Sequence, residues 1–398
     1  MKSNIHDLII LAGGKGTRIK KYLKNLPKPL LKINNTTILN KIILQVCKYR
    51  FKNIFILTGF KSEKIFKKFN NKIVNFNKIK CISEKKLMGT GGSIKKNLNK
   101  FTNSFYVMNA DSYCDFDFVK FQNLNVSNSL GKIVLTKNYN YHDNKKLSQL
   151  RISKNHKVQI SNSKNNLMNA GIYFLKKKCF SQKIKNIKYF SLEDEILLPL
   201  IKKSHILGFK TKNFFLDIGT PKNLKKANNL FKKNLTKPAI FLDRDGTINE
   251  DHGYVHDFKK FKLKKNMLKT LKYLNKKKVY FFIVTNQAGI GKKKFTLKKF
   301  HTFHLKFKEF FSKYNIYFDY VAFCPFHENA LDLKYRKRSN FRKPGNLMIK
   351  NILKQFNVDI KNSIFIGDSK KDFLCAKKSN IKFLYYSNKI FQQIQRNY

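Results

Sequence analysis

Phe241-Leu-Asp-Arg-Asp-Gly-Thr-Ile248 sets two carboxylates, Asp243 and Asp245, one residue apart at the end of an apolar run. Alternate residues of a strand share a face, and a bend after the strand turns both acids into one pocket. Further polar groups follow apolar runs in order: Thr285, Asn286 and Gln287, then Arg342 and Lys343 before Pro344, then Asp368 and Asp372 in Ile366-Gly-Asp-Ser-Lys-Lys-Asp372. Near the amino terminus, Leu11-Ala-Gly-Gly-Lys-Gly-Thr-Arg18 has another kind of chemistry. Its glycines let the backbone approach phosphate oxygens, and their N–H groups can cradle an anion. The spacing is not that of a Walker A loop, and a plain glycine turn is the alternative. Lys28 follows on a proline-stiffened loop, Leu26-Pro-Lys-Pro-Leu30. Asp111 in Asn109-Ala-Asp111 and Asp217 in Leu216-Asp-Ile-Gly-Thr-Pro221 each stand at a strand end, where the plainer role is a cap.

The elements that must position these groups read as strand and helix in alternation. Strands are expected at Asp7–Ala12, Asn53–Thr58 and Ser104–Asn109, with helices at Thr37–Tyr49 and Ser62–Phe69. A Lys/Asn-rich helical stretch around Lys222–Lys237 is closed by Pro238, and a new strand starts at Ala239–Leu242. Further strands follow at Val279–Thr285 and Ser363–Gly367. Such alternation implies parallel sheets covered by helices, with ligands at the carboxyl ends of the strands. The fold class is therefore α/β, two tandem doubly wound three-layer domains. They are expected at residues 1–232 and 239–398, with 233–238 as a linker.

Composition narrows the function class. A hydrophobic content of 42% excludes a disordered chain. No run approaches the roughly 18 apolar residues of a membrane helix, and the six cysteines show no framework spacing. A reduced, cytoplasmic protein with no membrane partner is expected. The net charge of +61 would ordinarily point to nucleic acid. Here the lysines are spread along the whole length among Asn, Ile, Phe and Tyr, residues of A/T-rich codons, and no nucleic-acid motif appears. No nucleic-acid partner is expected; a basic nucleic-acid binder is the remote alternative.

The first half resembles the sugar-phosphate nucleotidyltransferases over roughly residues 5–230. The resemblance rests on LAGGKGTR, LPKPLL, Met88-Gly-Thr-Gly-Gly92, NADS, Asn169-Ala-Gly-Ile-Tyr173 and FLDIGTP. It implies that Gly13, Gly14, Gly16, Thr17 and Arg18 wrap a nucleoside triphosphate and that Lys28 neutralises phosphate charge. Gly91 and Gly92 would lie near base and ribose, Asp111 and Asp217 would hold Mg²⁺, and Asn169 and Glu193 would line a sugar pocket. For Glu193, a cap on the helix through Leu197–Ile201 is the alternative. In this chemistry a sugar 1-phosphate attacks the α-phosphorus in line and pyrophosphate leaves, with no protein nucleophile.

The second half resembles the haloacid dehalogenase-type phosphatases without a large cap. The implied mechanism is covalent: Asp243 attacks phosphorus, and Asp245 protonates the leaving alcohol and then deprotonates water. Mg²⁺ would be bound by Asp243, the Asp245 carbonyl and Asp368. Thr285 and Lys343 would hold the transferring group, and Asp372 would orient the cluster. Asn249-Glu-Asp-His-Gly-Tyr-Val-His256 and Thr285-Asn-Gln-Ala-Gly-Ile-Gly291 resemble the D,D-heptose 1,7-bisphosphate 7-phosphatase branch, with histidinol-phosphate phosphatases as near relatives. His252, Tyr254, Asn286, Gln287 and Arg342 would then contact substrate, although His252 and His256 read equally as surface histidines.

That branch usually carries a zinc loop. Here Phe326 stands at the first His position, and Ser339 and Phe341 stand where later cysteines belong. Zinc is not expected, and packing must hold the loop over Leu331–Phe341. Together the halves imply a bifunctional enzyme acting on a phosphorylated sugar and a nucleoside triphosphate: loss of the 7-phosphate of a heptose 1,7-bisphosphate, then nucleotidyl transfer, with GTP favoured. The alternatives are the same two chemistries on another phosphosugar, or a histidinol-phosphate-type phosphatase. The oligomeric state is left open.

Overall fold

The computed structural model describes residues 5–137, 147, 149–161, 166–180 and 189–397. The chain forms two compact units, Met1–Ile43 with Phe51–Leu230, and Leu44–Arg50 with Phe231–Tyr398.

In the first unit the expected elements form in order, with β3 and α3 added between them: β1 (Asp7–Ala12), α1 (Ile38–Cys47), β2 (Ile54–Thr58), α2 (Ser62–Phe69), β3 (Asn77–Ser83), α3 (Gly89–Lys96) and β4 (Ser104–Asn109). They are followed by β5 (Ser112–Cys114), β6 (Gly131–Lys137), β7 (Leu167–Lys176), β8 (Ile206–Thr211), β9 (Phe215–Asp217) and α4 (Pro221–Leu235). β1 is buried at all six positions, as a strand covered on both faces requires. The central order is β7-β4-β1-β2-β3. β1 runs parallel to β2 and β4, and β2 runs parallel to β3. The sheet is not wholly parallel, because β7 pairs antiparallel with both β4 and β6. Ile9, Leu11, Phe105, Val107, Ile133 and Tyr173 belong to one continuous core. α4 ends at Leu235 and the next strand starts at Lys237, so the stretch 233–238 lies in regular elements apart from Thr236.

The second unit is a five-stranded, all-parallel sheet. Its elements are β10 (Lys237–Leu242), α5 (Met267–Asn275), β11 (Tyr280–Asn286), α6 (Leu297–Ser312), β12 (Tyr320–Cys324), α7 (Leu347–Gln355), β13 (Val358–Gly367), α8 (Lys370–Lys377) and β14 (Lys382–Tyr385). The order is β12-β11-β10-β13-β14, and every pair is parallel. β10, β11 and β13 therefore end side by side, which places Asp243, Asn286 and Asp368 along one edge.

In the first unit, Gly89 opens α3 at φ +74°, and a Cβ there would lie 2.3 Å from the Phe190 carbonyl oxygen. Both the dihedral and the space exclude a side chain. Gly89→Ala is expected to destabilise the first unit by about 2–3 kcal/mol, read by urea unfolding.

Candidate functional site

In the second unit, β10 delivers Asp243, whose N–H donates to the Ile366 carbonyl at 3.0 Å. Its Oδ1 meets the Lys343 ammonium at 2.7 Å, and the same ammonium meets Asp372 Oδ1 at 2.5 Å. Lys343 and Asp372 are fully buried. Asp372 is locked by a capping box at the start of α8: Ser369 Oγ donates to its Oδ2 at 2.6 Å, and the Ser369 N–H donates at 3.1 Å. The Asn286 side chain brackets the Lys343 main chain, donating to its carbonyl at 3.1 Å and accepting from its N–H at 2.9 Å. Burial pushes the Asp243 carboxyl up to about 7, while Lys343 pulls the other way. Burial alone would lower the Lys343 ammonium, but Asp243 and Asp372 outweigh it and hold it above the ordinary lysine value. Lys343 therefore stays a cation, the state that favours ionised Asp243.

Asp245 is held apart from that triad by four donors. Arg244 Nε and Asn249 Nδ2 reach Oδ1 at 2.9 and 3.0 Å, and Arg244 Nη2 and Gln287 Nε2 reach Oδ2 at 2.7 and 2.9 Å. Gln287 also donates to Thr285 Oγ1 at 2.9 Å. Arg244 has no solvent exposure and lies 4.6 Å from the centre of the Phe303 ring. Its part was not legible in the sequence, where Arg244 reads as a spacer between two aspartates.

The cleft over these groups measures about 380 Å³, within the range of small-molecule sites. Asp243, Asp245, Tyr254, Thr285, Asn286, Gln287, Arg342, Lys343 and Asp368 all line it. His252 does not line it: it is exposed and pairs with Glu250 at 3.2 Å. Asp251, Lys292 and Lys371 line it and went unrecognised, since one lysine among so many gives no signal. Arg342 Nη1 is shut away from solvent without a hydrogen-bond acceptor.

A metal ion fits here. Ligand oxygens of Asp243, Asp368 and Asp372 lie within 4.8 Å of one another, the one such acidic, His or Cys cluster among the described residues. A Cβ on Gly246 would lie within 1.9 Å of Asp368 Oδ2, and Gly246 has φ +83°. Only glycine lets that carboxylate come so close to the backbone beside Asp245. Over Phe326–Phe341, backbone and ring contacts hold the loop. His327 N–H donates to the Tyr335 carbonyl at 3.1 Å, Arg336 Nε donates to the Ala330 carbonyl at 2.7 Å, and Lys337 sits 4.2 Å from the centre of the Phe326 ring.

In the first unit, β5 and β9 pair with Ser112 opposite Asp217, which brings Asp111 and Asp217 together. The buried Lys28 ammonium lies between them, 2.7 Å from Asp111 Oδ2 and 3.5 Å from Asp217 Oδ1. The lysine expected on phosphate is thus held by the carboxylates expected on Mg²⁺. Burial, then the neighbouring Asp111, raises the Asp217 carboxyl above its ordinary value against Lys28 and Arg18. Gly14, Gly16, Thr17, Arg18, Lys28 and Asp111 line one cleft, and Gly13 packs beside Gly59 at its edge.

Asn169 and Glu193 meet through Tyr173. Asn169 Nδ2 and the Tyr173 hydroxyl are 2.6 Å apart, and that hydroxyl donates to Glu193 Oε1 at 3.1 Å. Thr90 and Ser191 donate to Glu193 Oε2 at 3.0 and 3.2 Å, a role more specific than helix capping. Tyr173 and Thr90 were not singled out from the sequence. Gly91 and Gly92 are buried, and their N–H groups are spent on the Phe190 carbonyl at 3.1 and 3.3 Å. A Cβ on Gly91 would meet the Phe190 ring at 2.4 Å. The structure gives both glycines a packing role and does not bring them into the glycine-loop cleft.

A mainly parallel sheet with a glycine loop and paired acids in one unit, and an aspartate–lysine cluster on an all-parallel sheet in the other, define two phosphate-handling enzymes. The chain belongs to the nucleotidyl transferase family, which matches residues 8–234, and to the haloacid dehalogenase-like hydrolases, which match residues 334–386. It is 33% identical over 147 residues to the D-glycero-beta-D-manno-heptose-1,7-bisphosphate 7-phosphatase of Vibrio cholerae, covering 37% of this chain and 79% of that protein. It is 30% identical over 245 residues to the bifunctional protein GlmU of Methanococcus vannielii, covering 58% of this chain and just over half, 56%, of that protein. The crystal structure of HddC from Yersinia pseudotuberculosis is 28% identical and covers 57% of this chain and all of its own, with a TM-score of 0.48. The chain is a bifunctional enzyme, joining sugar-phosphate nucleotidyl transfer to phosphate ester hydrolysis. Among the described residues no helix is long and apolar enough to cross a membrane.

Replacing Lys343 by Met leaves Asp243 and Asp372 facing each other without a cation. Phosphate release is expected to fall about 10²–10³-fold, and the chelator-treated protein to lose about 3 kcal/mol in urea unfolding. Burial raises the Asp243 carboxyl to about 7 even with Lys343 lowering it, and loss of the ammonium raises it further, so the stability deficit is greatest at alkaline pH and shrinks as pH falls toward 7 and Asp243 of the variant takes up a proton.

Proposed function

We propose that the second unit removes the 7-phosphate of D-glycero-D-manno-heptose 1,7-bisphosphate and that the first transfers GMP from GTP to the resulting heptose 1-phosphate, releasing pyrophosphate. The observation that carries the reading is the phosphatase cleft. A nucleophile held by a buried ammonium lies under a rim that includes Lys292, Arg342 and Lys371, cations suited to a substrate with a second phosphate. A bisphosphate hydrolysed at one end keeps the anomeric phosphate that a nucleotidyltransferase needs. The relatives of the second unit are heptose bisphosphate phosphatases named for the β-anomer; the glycine-loop transferase beside the phosphatase is what favours the α-anomer and GTP here.

In hydrolysis an Asp243 oxygen bonds to phosphorus as the bond to the sugar oxygen breaks, giving an aspartyl phosphate. Asp245 gives a proton to the leaving oxygen, then takes one from the water that releases phosphate. Lys343 and Thr285 hold the transferring oxygens. Mg²⁺, when held by Asp243, Asp368 and the Asp245 carbonyl, supplies charge neutralisation. In the first unit Asp111 and Asp217 would hold Mg²⁺, which requires Lys28 to give up its place between them; its ammonium then faces the phosphates. Arg18 and the Gly13–Gly16 amides hold the triphosphate, and Asn169 and Glu193 hold sugar hydroxyls.

Incubation of the chain with D-glycero-α-D-manno-heptose 1,7-bisphosphate, Mg²⁺ and all four nucleoside triphosphates is expected to give GDP-heptose by mass spectrometry. Phosphate release without a nucleotide sugar would defeat the transferase reading, and no turnover would defeat the heptose assignment. Asp243→Asn is expected to abolish phosphate release while leaving transfer to supplied heptose 1-phosphate intact. Loss of both would show that the two chemistries are not independent.

A further inference from the structure

Asp245 has to stand within hydrogen-bond reach of the oxygen it serves, and a carboxylate at the mouth of a loop can rotate away unless its plane is fixed. Asn249 and Gln287 each give it one donor, and both amides are shared. Asn249 Nδ2 also donates to the Glu250 carbonyl at 2.7 Å, and Gln287 Nε2 to Thr285 Oγ1 at 2.9 Å. Arg244 is the partner that reaches both oxygens, Nε at 2.9 Å and Nη2 at 2.7 Å. A guanidinium fork on both oxygens sets the plane of a carboxylate as well as its place.

The same residue holds a loop at both ends. Arg244 Nη2 also donates to the Val255 carbonyl at 2.6 Å, and the Arg244 carbonyl accepts from the Ile248 and Asn249 N–H groups at 2.8 and 3.1 Å. The stretch 248–255 thus leaves from the main chain of Arg244 and returns to its side chain. It brings Asp251, Gly253 and Tyr254 to the cleft. Tyr254 has φ +55°, a conformation that a bulky residue keeps only where its surroundings impose it. Arg244 is itself fixed by α6, on which residues three and four apart share a face. The centres of the Phe303 and Phe300 rings lie 4.6 and 5.9 Å from its guanidinium carbon, and His304 Nε2 lies 3.3 Å from Nη1. Burial, then Arg244, lowers His304 well below the ordinary histidine value. Its ring is therefore neutral, and Nε2 accepts from a guanidinium, which can only donate.

We propose that Arg244 is the positioning residue of the phosphatase unit: one buried guanidinium aims Asp245 at the leaving oxygen and pins the loop that sets Asp251 and Tyr254 over the substrate. Arg244 has no solvent exposure and does not line the cleft, so it acts through the groups it holds. As an Asp243 oxygen bonds to phosphorus and the bond to the sugar oxygen breaks, the proton of Asp245 passes to that oxygen. An alkoxide depends on this transfer, whereas nitrophenolate is a stable anion and departs without it. Loss of the fork therefore falls hardest on esters of poor leaving groups. The inference rests on the phosphatase reading above and names the residue that makes its proton transfer geometrically possible.

The test is rapid-quench single turnover by the full chain, in excess over substrate and with Mg²⁺, on D-glycero-α-D-manno-heptose 1,7-bisphosphate and on nitrophenyl phosphate. The unaltered chain is compared with Arg244→Met and Arg244→Lys, the second of which keeps a buried cation but has one nitrogen in place of a fork. Both variants are expected to slow loss of the 7-phosphate about 10²–10³-fold, within the worth of a positioned general acid. Both are also expected to raise the bisphosphate concentration that gives half the maximal rate. Release of nitrophenolate is expected to fall far less, so that the ratio of the two first-turnover rates shifts at least about tenfold. An equal fall on both esters would overturn the positioning role and leave Arg244 a support of the fold. Recovery of the bisphosphate rate in Arg244→Lys would overturn it as well, because charge without the fork would then suffice. An unaltered chain that leaves the bisphosphate intact would overturn the proposed function and this inference with it.

Discussion

The phosphatase unit depends on one buried ammonium. Lys343 lies between Asp243 and Asp372 with almost no exposure, an arrangement that costs desolvation of three charges and is sustained only if every partner is fixed. The fold supplies each fixture separately. β10 brings Asp243, the Asn286 amide clamps the lysine's main chain, and the first turn of α8 locks Asp372 through its own capping box. Asp368 adds a third carboxylate to the cluster. Three carboxylates against one ammonium leave a double negative charge, which a single divalent cation cancels. Asp245 stays outside that balance because Arg244 neutralises it. The two aspartates of the DxD pair are thus placed in different electrostatic surroundings.

The transferase unit answers a related problem with fewer charges. Two strand-end aspartates are brought together by the β5–β9 pairing, and one buried lysine on a proline-stiffened turn sits between them. Without Lys28 the pair would repel, and Asp217, already raised by burial, would be driven further toward protonation. The lysine lowers the Asp217 carboxyl against that burial, and its ammonium is the contact that joins the two strand-end acids.

Most of the fold was legible because each strand of the two cores is a short apolar run ended by glycine or a polar residue. β1, α2 and β4 have the bounds that periodicity gives. The antiparallel β7 was not legible, since a buried strand reads alike in either direction. Motif residues at strand ends were found because strand ends are where side chains leave the sheet for the cleft. What escaped was whatever depends on contacts far apart in sequence. Gln287 holds Asp245, Asn286 holds a main chain, and Gly91 makes room for Phe190. A motif marks that a residue is needed without marking which of two neighbours it touches.

The composition explains a second asymmetry in what could be read. Against 84 lysines and arginines the chain has only 23 aspartates and glutamates. Among these, Asp111, Glu193, Asp217, Asp243, Asp245, Asp368 and Asp372 stand at the two sites. An acid in this chain is therefore more informative than a lysine, because the background supplies so few, although Asp251 also lines the phosphatase cleft and escaped notice. Lys292 and Lys371 went unrecognised although they line the same cleft. The same excess of positive charge draws anions to the whole surface, so attraction alone cannot choose among them. Discrimination requires groups whose geometry is fixed. Arg342 Nη1 is shut away from solvent with no acceptor among the described residues, and a donor so placed, unlike a surface lysine, has no water to fall back on.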